Sequence, residues 1–425
     1  MDRFFGIFGI VFILLLSFLM SNNKKRISIK TITRAFLLQF LLGVFILKVP
    51  LGIRIFEAIG GFIQKILDFA KIGSDFVFGP LTRNPEKLTE LFGQNSHIFA
   101  LQLMGAMIFM MVLVNILYYY GIMQRVVAFL GKLMNKLLNV SGAEALSNLA
   151  SSFVGQVAAQ SLIKPYLPNL TKSEILASMT GSLACISGGV MAIYVGMGIP
   201  AQYLLAASIM AAPGALVISK IVYPEVDVSQ TMNDIKISRR RTHVNVIDSI
   251  AMGAQEGMRV TINVVAVLIA LVALIAMIDW VLVKFGMFLY HNLHFSQMFL
   301  GFDLTNLSMK MIVGKVFAIF AYLMGVPFNE AAQVGALLGE KFILNETIAY
   351  IDLVSIKNII SQKSFVIASF ALCGFANLGS IAILIGGVGE MAPKQRKNLS
   401  RLGIKALICG TFASYISACI AGILL

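Results

Sequence analysis

One carboxylate stands out among the polar side chains of this sequence. Glu346 follows Leu344 and Asn345 within a largely apolar stretch, and at membrane depth an ionisable group costs at least about 2.5 to 3.5 kcal/mol unless it is paired, hydrated or facing a cavity. An ionised carboxylate only accepts hydrogen bonds and can receive two vicinal hydroxyls at once, as a ribose 2′,3′-diol offers them. Glu346 is therefore predicted to hold a sugar. The alternative is that it pairs with Lys341 or caps a hairpin helix.

A second polar group lies between Cys373 and Ser380. It places an aromatic ring, an amide and a hydroxyl, those of Phe375, Asn377 and Ser380, in a glycine-interrupted apolar span, where helical backbone can unwind. The ring of Phe375 can lie against a planar base, and Asn377 and Ser380 share one helical face if the helix continues. The alternative is helix packing, because Gly and Ser are common between membrane helices.

Gln156 is the third candidate, since its amide can both donate to and accept from the edge of a base. Other chemistries lack support. His243, His291 and His294 have no carboxylate or cysteine at ligand spacing, so no metal site is predicted. No Gly-Lys-Ser/Thr phosphate loop occurs, which argues against direct ATP drive, and no nucleophile and His pair supports an enzyme. No cofactor is expected.

The composition places these residues in a membrane. The chain has 425 residues, of which only 13% are charged, and its mean hydropathy is +0.86, whereas soluble domains carry roughly 25% charged residues. The first apolar block, Phe4 to Met20, is followed by Ser21 to Arg26 without a small-residue cleavage site, so we interpret it as a retained anchor helix. The four cysteines, at 185, 373, 409 and 419, lie in apolar stretches without paired spacing and predict neither a disulfide framework nor a zinc site.

The net charge of +14 is concentrated in two loops that we assign to the cytoplasm by the positive-inside rule. The basic residues of these loops are Lys24, Lys25, Arg26, Lys30 and Arg34 in the first and Lys394, Arg396, Lys397, Arg401 and Lys405 in the second. This assignment puts both chain termini outside. The segments 121–140 and 222–245 then lie inside, and 291–310 lies outside.

Apolar spans are predicted over residues 35–49, 97–120, 173–198, 203–220, 260–283, 365–389 and 403–425. Two amphipathic stretches, Arg54 to Lys71 and Arg125 to Leu138, are predicted to lie in the membrane interface or to be ordinary loop helices. The topology closes only if Ser141 to Pro168 and Asn329 to Lys357 enter and leave on one side as hairpins, from opposite faces. Such inverted repeats with broken helices are typical of secondary transporters with a midplane site.

The residues from about 144 to the end resemble the concentrative nucleoside transporter family. The motifs that carry this resemblance are Gly155-Gln156, Lys164-Pro165-Tyr166, Gly196-Met197-Gly198, Asn245 to Asp248, Leu323 to Pro327, Leu344-Asn345-Glu346 and Ala371 to Ser380. The resemblance implies an all-α integral membrane protein, in the inner membrane of a bacterium. Its fold has eight transmembrane helices and two oppositely oriented re-entrant hairpins. It also implies a homotrimer in which a mobile transport domain moves against a scaffold.

The resemblance divides the chain into four parts. Residues 1–140 form amino-terminal spans and interfacial helices of the scaffold, and 141–221 form the first hairpin and repeat of the transport domain. Residues 222–312 form a cytoplasmic loop, a scaffold helix and an external helix, and 313–425 form the second hairpin and repeat.

The resemblance also implies roles for individual residues, and here this chain departs from the family. Glu346, Asn377 and Ser380 hold the ribose and Phe375 faces the base, while Gln156 and Val190 line the base side. The family's first hairpin tip usually reads Gly-Gln-Thr-Glu-Ala-Pro, whereas this chain has Gly155-Gln156-Val157-Ala158-Ala159-Gln160. A changed base preference is therefore predicted, with a larger or less polar base contact near Val157 and Ala158.

The family's sodium site matches Ser151 and Cys185, with Val154 and Ile186 at the carbonyl positions. A thiol is a poor ligand for a hard cation, so either Ser151 and carbonyls hold sodium weakly or a proton on Glu346 replaces it. The predicted function is cation-coupled uptake of nucleosides with elevator-type alternation. The alternatives are a nucleobase, nucleotide or other ribosylated cargo, a membrane-embedded enzyme, or a sensor that does not transport.

Overall fold

The computed structural model describes residues 5–83, 98–232, 244–299 and 302–425. Apart from a pair of two-residue strands, the regular structure of these residues is helical, which confirms the all-α fold class. The helices before the first hairpin are α1 (Phe5–Leu19), α2 (Ile29–Leu47), α3 (Pro50–Phe78), α4 (Pro80–Arg83), α5 (Phe99–Tyr119) and α6 (Ile122–Leu138). The first hairpin and its repeat follow as α7 (Gly142–Val154), α8 (Gln156–Ser161), α9 (Lys172–Ala184), α10 (Gly188–Gly196) and α11 (Ala201–Val222).

The second half repeats this order after one long helix. The elements are α12 (Val246–Asn292), β1 (Met298–Phe299), β2 (Phe302–Asp303), α13 (Met309–Leu323), α14 (Phe328–Ile343), α15 (Glu346–Ser355), α16 (Gln362–Leu372), α17 (Leu378–Met391) and α18 (Arg396–Leu424). The pairs α7–α8 and α14–α15 are the two predicted hairpins. Each is followed by a broken helix, α9–α10 or α16–α17, and then by one unbroken helix.

Several helices are long and apolar enough to cross a membrane. These are α2, α11, α18, the pair α9–α10, and residues 272–292 of α12. Helix α3 does not meet that criterion, and its buried residues, among them Gly52, Phe56, Gly60 and Leu67, form one stripe, as expected of an amphipathic interfacial helix. Helix α6 bends by 75° from α5, so these two helices do not form one straight span.

The predicted boundaries were wrong where charges continue a helix. Helix α12 extends over Val246–Asn292 instead of 260–283, and α18 begins at Arg396 instead of near Gly403. Both extensions contain charged residues that hydropathy assigns to loops, although Lys and Arg are good helix formers. The predicted start at His97 and the prediction for His243 lie outside the described residues.

Helix α18 shows that the two hairpins have opposite orientations. Just before α18 begins, Gln395 Nε2 donates to the carbonyl oxygens of Pro168 and Leu170, at 3.0 and 3.1 Å, next to the start of α9. Near the end of α18, a β-carbon built at Gly422 would lie 2.3 Å from the carbonyl oxygen of Met324, which precedes the second hairpin. An α-helix rises about 1.5 Å per residue, so the two hairpin roots lie at opposite ends of a helix roughly 40 Å long.

The two broken helices cross where each is interrupted. Phe375 N, in the break between α16 and α17, donates to Cys185 O, in the break between α9 and α10, at 3.4 Å. Gly374 has φ +138°, and a β-carbon there would lie 2.7 Å from Ala184 O. Ser414 Oγ of α18 donates to Cys373 O at 2.9 Å. The polar backbone freed by the breaks is thus satisfied inside the protein, as it must be at membrane depth.

Candidate functional site

The carboxylate of Glu346 lies between the amino termini of α15 and α17 and the side of α10. Glu346 is the first residue of α15, directly after Asn345, whose side chain caps the helix by accepting from Ile348 N at 3.0 Å. Its Oε1 accepts from the Tyr194 hydroxyl at 2.9 Å and its Oε2 accepts from Asn377 Nδ2 at 2.9 Å. The helix amino terminus adds a favourable field for negative charge. Because a carboxylate has roughly four acceptor positions, the two side-chain donors do not use up its capacity to accept hydrogen bonds.

Asn377 links Glu346 to the start of α17. Its Nδ2 donates to Glu346, while its Oδ1 accepts from Ser380 N at 2.8 Å and caps α17. Asn377 and Ser380 are both buried, with 4% of each residue exposed. The predicted ribose group of Glu346, Asn377 and Ser380 is thereby brought together on two adjoining helix amino termini. Within the described residues, the Ser380 hydroxyl makes no hydrogen bond and is available to a ligand.

The alternative that Glu346 pairs with Lys341 does not describe this structure. Lys341 Nζ donates to Ala371 O at 2.8 Å, and the ion pairs among the described residues do not join it to Glu346. The helix cap is supplied by Asn345 and not by Glu346. Neither an ion pair with Lys341 nor helix capping therefore accounts for the buried position of the Glu346 carboxylate.

Tyr194 was missed by the sequence reasoning. Its hydroxyl contacts Glu346 and lies 3.2 Å from Thr347 Oγ1. Its ring packs against Tyr350 with centroids 4.3 Å apart, and Tyr350 donates to Ser369 O at 2.8 Å. Tyrosine is common in apolar membrane helices. From the sequence, Tyr194 in the middle of α10 could therefore be predicted only to be part of such a helix, and not to contact Glu346.

The base side of the predicted site contains Gln156, Val157, Val190 and Phe375. Gln156 opens α8 after Gly155, and its buried Oε1 has no hydrogen-bond partner. Val190 is in the first turn of α10, where its N donates to Ser187 Oγ at 3.3 Å. The hairpin tip lies close by, because a β-carbon built at Gly155 would be 3.2 Å from Ser187 Cβ.

Val157 lies on another surface of the hairpin tip. A β-carbon built at Gly387 would be 2.7 Å from Val157 Cγ1, so this side chain packs on α17. Phe375 is half-buried in the break that precedes α17. The base-side residues therefore come from the hairpin tip and both broken helices.

The structure places the four expected cation residues in the first repeat, but in separate hydrogen-bond groups. Ser151 Oγ donates to Ser147 O at 2.7 Å, whereas the Cys185 thiol lies 3.1 Å from Ser152 Oγ and 3.6 Å from Ser208 O. Val154 ends α7, and Ile186 lies fully buried in the break after α9. The donor set offers one hydroxyl and a thiol, which fits a hard cation poorly.

Paired hairpins and crossed, broken helices define a multi-pass transporter fold, and known proteins identify its family. Residues 8–81, 100–201 and 203–422 match families described as Na+ dependent nucleoside transporter N-terminus, nucleoside recognition, and Na+ dependent nucleoside transporter C-terminus. The chain therefore belongs to the Na+ dependent nucleoside transporter family. It is an integral, multi-pass membrane protein whose relatives are transporters and permeases.

Individual relatives agree over almost the whole chain. The nucleoside permease NupC of Helicobacter pylori is 36% identical, with 99% of this chain and 97% of that protein covered. The sodium/nucleoside cotransporter 1 of Rattus norvegicus is 35% identical, with 98% of this chain and 63% of that protein covered. A structure of CNTnw in an inward-facing substrate-bound state has a TM-score of 0.92 at 39% identity, covering 100% of this chain and 98% of that one.

Proposed function

We propose that this protein takes up nucleosides by cation-coupled symport and that Glu346, Asn377 and Ser380 bind the ribose. The observation that carries the proposal is the Glu346 carboxylate, which two donors hold in place while acceptor capacity is left over. A vicinal diol supplies two donors for that capacity. The neighbouring Ser380 hydroxyl supplies a further contact for the sugar, and the Gln156 amide, whose oxygen has no hydrogen-bond partner, supplies one for the base.

The base contacts support a preference that differs from the usual family pattern. Gln156 offers a buried acceptor without a partner, while the next positions, Val157 and Ala158, carry neither hydroxyl nor carboxylate. A buried polar group without its partner costs about 1 to 3 kcal/mol, so the site favours a base whose N–H reaches Gln156. Phe375 and Val190 supply the apolar surroundings of that base.

Membership of the sodium-dependent family supports sodium as the coupling ion, whereas the Cys185 thiol favours a second candidate. In that candidate a proton carried by Glu346 takes the place of sodium. We further propose that the transport domain, residues 141–221 and 313–425, moves as an elevator against a scaffold built from three copies of the remaining residues.

Uptake of radiolabelled nucleosides by proteoliposomes tests the function. Glu346→Gln should abolish saturable uptake, because the new amide places its NH2 group against one of the two donors, Tyr194 or Asn377, and removes the charge. Glu390→Gln, at the exposed end of α17, is the matched control and should transport normally. Unimpaired uptake by Glu346→Gln contradicts the proposal.

The same assay separates the cargo and the coupling ion. A 2′-deoxynucleoside should compete at least roughly tenfold more weakly than its ribonucleoside, because a site built to bind a hydroxyl discriminates strongly against its loss. Nucleobases and nucleotides that compete as well as nucleosides would favour the alternative cargo. Sodium and proton gradients imposed separately show which ion drives uptake.

A further inference from the structure

A buried group of neutral polar side chains, here called the Gln160 cluster, joins the first hairpin to α9. It consists of Ser147 and Ser151 on α7, Gln160 on α8, and Ser178 and Ser182 on α9. At most 3% of each residue is exposed. Gln160 stands where the usual hairpin motif of the family has a proline, which has no side-chain amide and could not make these hydrogen bonds.

Gln160 bridges the hairpin to α9 with both atoms of its amide. Its Oε1 accepts from Ser178 Oγ at 2.7 Å and its Nε2 donates to Ser182 Oγ at 2.8 Å. Ser178 Oγ also lies 2.9 Å from Ser147 Oγ, which connects both arms of the hairpin to the same helix. In a buried environment such bonds are stronger than in water and reinforce one another.

Ser182 carries the connection to the hairpin tip. Its Oγ lies 3.2 Å from the backbone oxygen of Gln156 and 3.1 Å from Ser151 Oγ. Gln156 is the residue whose side-chain oxygen is left without a partner. The backbone of this residue is therefore fixed through Ser182, while its side chain is free for a ligand.

The polar side-chain atoms of the cluster have hydrogen-bond partners in other cluster side chains or in nearby backbone oxygens. Gln156 Oε1 belongs to the buried side-chain atoms that have no partner in the described structure, but no atom of the Gln160 cluster does. Ser151, one of the expected cation residues, directs its hydroxyl hydrogen to Ser147 O. Because buried polar groups need hydrogen-bond partners and those of the cluster have them within the protein, the hydrogen bonding of the cluster does not depend on an ion.

We infer that the Gln160 cluster holds the first hairpin closed against α9 without a bound ion and so positions Gln156. Gln160 is a positioning residue in this scheme, since it acts through Ser182 on the residue that contacts the base. The contact between Gln156 and the base rests on the proposed function, whereas closure of the hairpin does not. The two claims are therefore tested by separate measurements.

Hydrogen exchange of the full-length protein in nanodiscs tests closure. Gln160→Met keeps the side-chain length but removes the hydrogen bonds of the amide, and it should raise exchange of the amides of 157–162 roughly tenfold. Ser182→Ala should have a similar, smaller effect. Ser161→Ala is the matched control, because the exposed Ser161 hydroxyl donates only to Ala158 O within its own helix.

Repeating the exchange in sodium chloride and in choline chloride at equal ionic strength tests independence from the ion. The wild-type hairpin should be equally protected in both salts. Protection that requires sodium, or unchanged exchange in both Gln160→Met and Ser182→Ala, overturns the inference even if the protein transports nucleosides.

A double-mutant cycle tests the positioning of Gln156. Gln156→Leu and Gln160→Met should each raise the half-saturation concentration for nucleosides. The double variant should have the same half-saturation concentration as Gln156→Leu alone, because both changes remove the same contact, the one between Gln156 and the base. Strictly additive effects contradict positioning. If the wild-type protein takes up no nucleoside at all, the proposed function is wrong. The exchange measurement still tests closure of the hairpin in that case.

Discussion

At the scale of single residues, the site depends on how the donors around one carboxylate are arranged. Tyr194 and Asn377 approach different oxygens of Glu346, so they fix the plane of the carboxylate group. A fixed carboxylate loses little conformational freedom when a diol binds, and preorganisation of this kind increases affinity. In the proposed function Tyr194 therefore contributes to binding only by orienting Glu346, whereas Asn377 both orients this carboxylate and binds the ribose.

Tyr194→Phe tests this role. The change keeps the ring packed on Tyr350 but removes the hydroxyl, and hydrogen bonds to charged groups contribute about 1.5 to 3 kcal/mol. We expect the half-saturation concentration for nucleoside uptake to rise at least roughly tenfold, with a smaller effect on maximal rate. Tyr203→Phe, a change at a half-buried tyrosine of α11, should leave both constants unchanged. Equal kinetics of Tyr194→Phe and wild type contradict the positioning role.

What the sequence could reveal at this scale depended on polarity. Glu346 and Asn377 were predictable because a carboxylate and an amide in apolar stretches are costly and need partners. Tyr194 was not, because tyrosine fits an apolar helix, and Gln160 was not, because its partners are serines on another helix. A polar residue in an apolar stretch can be recognised from the sequence, whereas hydrogen bonds between helices depend on how the helices pack.

At the scale of elements, the candidate site lies at helix breaks that fall inside segments the sequence singled out. Gly155 and Asn345 lie in the two stretches predicted as hairpins, and Gly374 lies in the span predicted to unwind. The crossing of the two broken helices could not be predicted, because it depends on the approach of Gly374 to Ala184 in a different repeat. The predicted helices were also too short, since charged helix ends such as the start of α18 have the low hydropathy of a loop.

Gly374→Ala tests the crossing. A side chain at φ +138° is strained, and its β-carbon would lie 2.7 Å from Ala184 O. Backbone strain costs about 1 to 3 kcal/mol and overpacking typically costs as much again. We expect a lower melting temperature in detergent and loss of nucleoside binding. Gly386→Ala is the control, because a β-carbon on this helical glycine meets nothing within 4 Å. A variant Gly374→Ala as stable as wild type would show that the helices separate easily.

At the scale of the whole molecule, the proposed elevator requires the transport domain to slide along the scaffold. Helix α3, which we propose belongs to the scaffold, packs against the start of α11, and an open cavity of about 280 Å³ lies beside this contact, lined by Glu57, Gln64 and Gln202 among others. This contact joins residues 1–140 to residues 141–221, so the proposed sliding would have to break it.

A disulfide across this contact tests the motion. A β-carbon built at Gly60 lies 3.4 Å from Ala201 Cβ, close to the 3.5 to 4.5 Å of disulfides, and the native cysteines are all buried. The double variant Gly60→Cys, Ala201→Cys should lose nucleoside uptake on oxidation and regain it with dithiothreitol, because the cross-link joins residues 1–140 to 141–221. The single variants should not respond, nor should Gly314→Cys, Ala336→Cys, which joins two helices of the second repeat. Full uptake by the oxidised Gly60–Ala201 pair would mean that these two parts move together, and the elevator would have to slide along another surface or be abandoned.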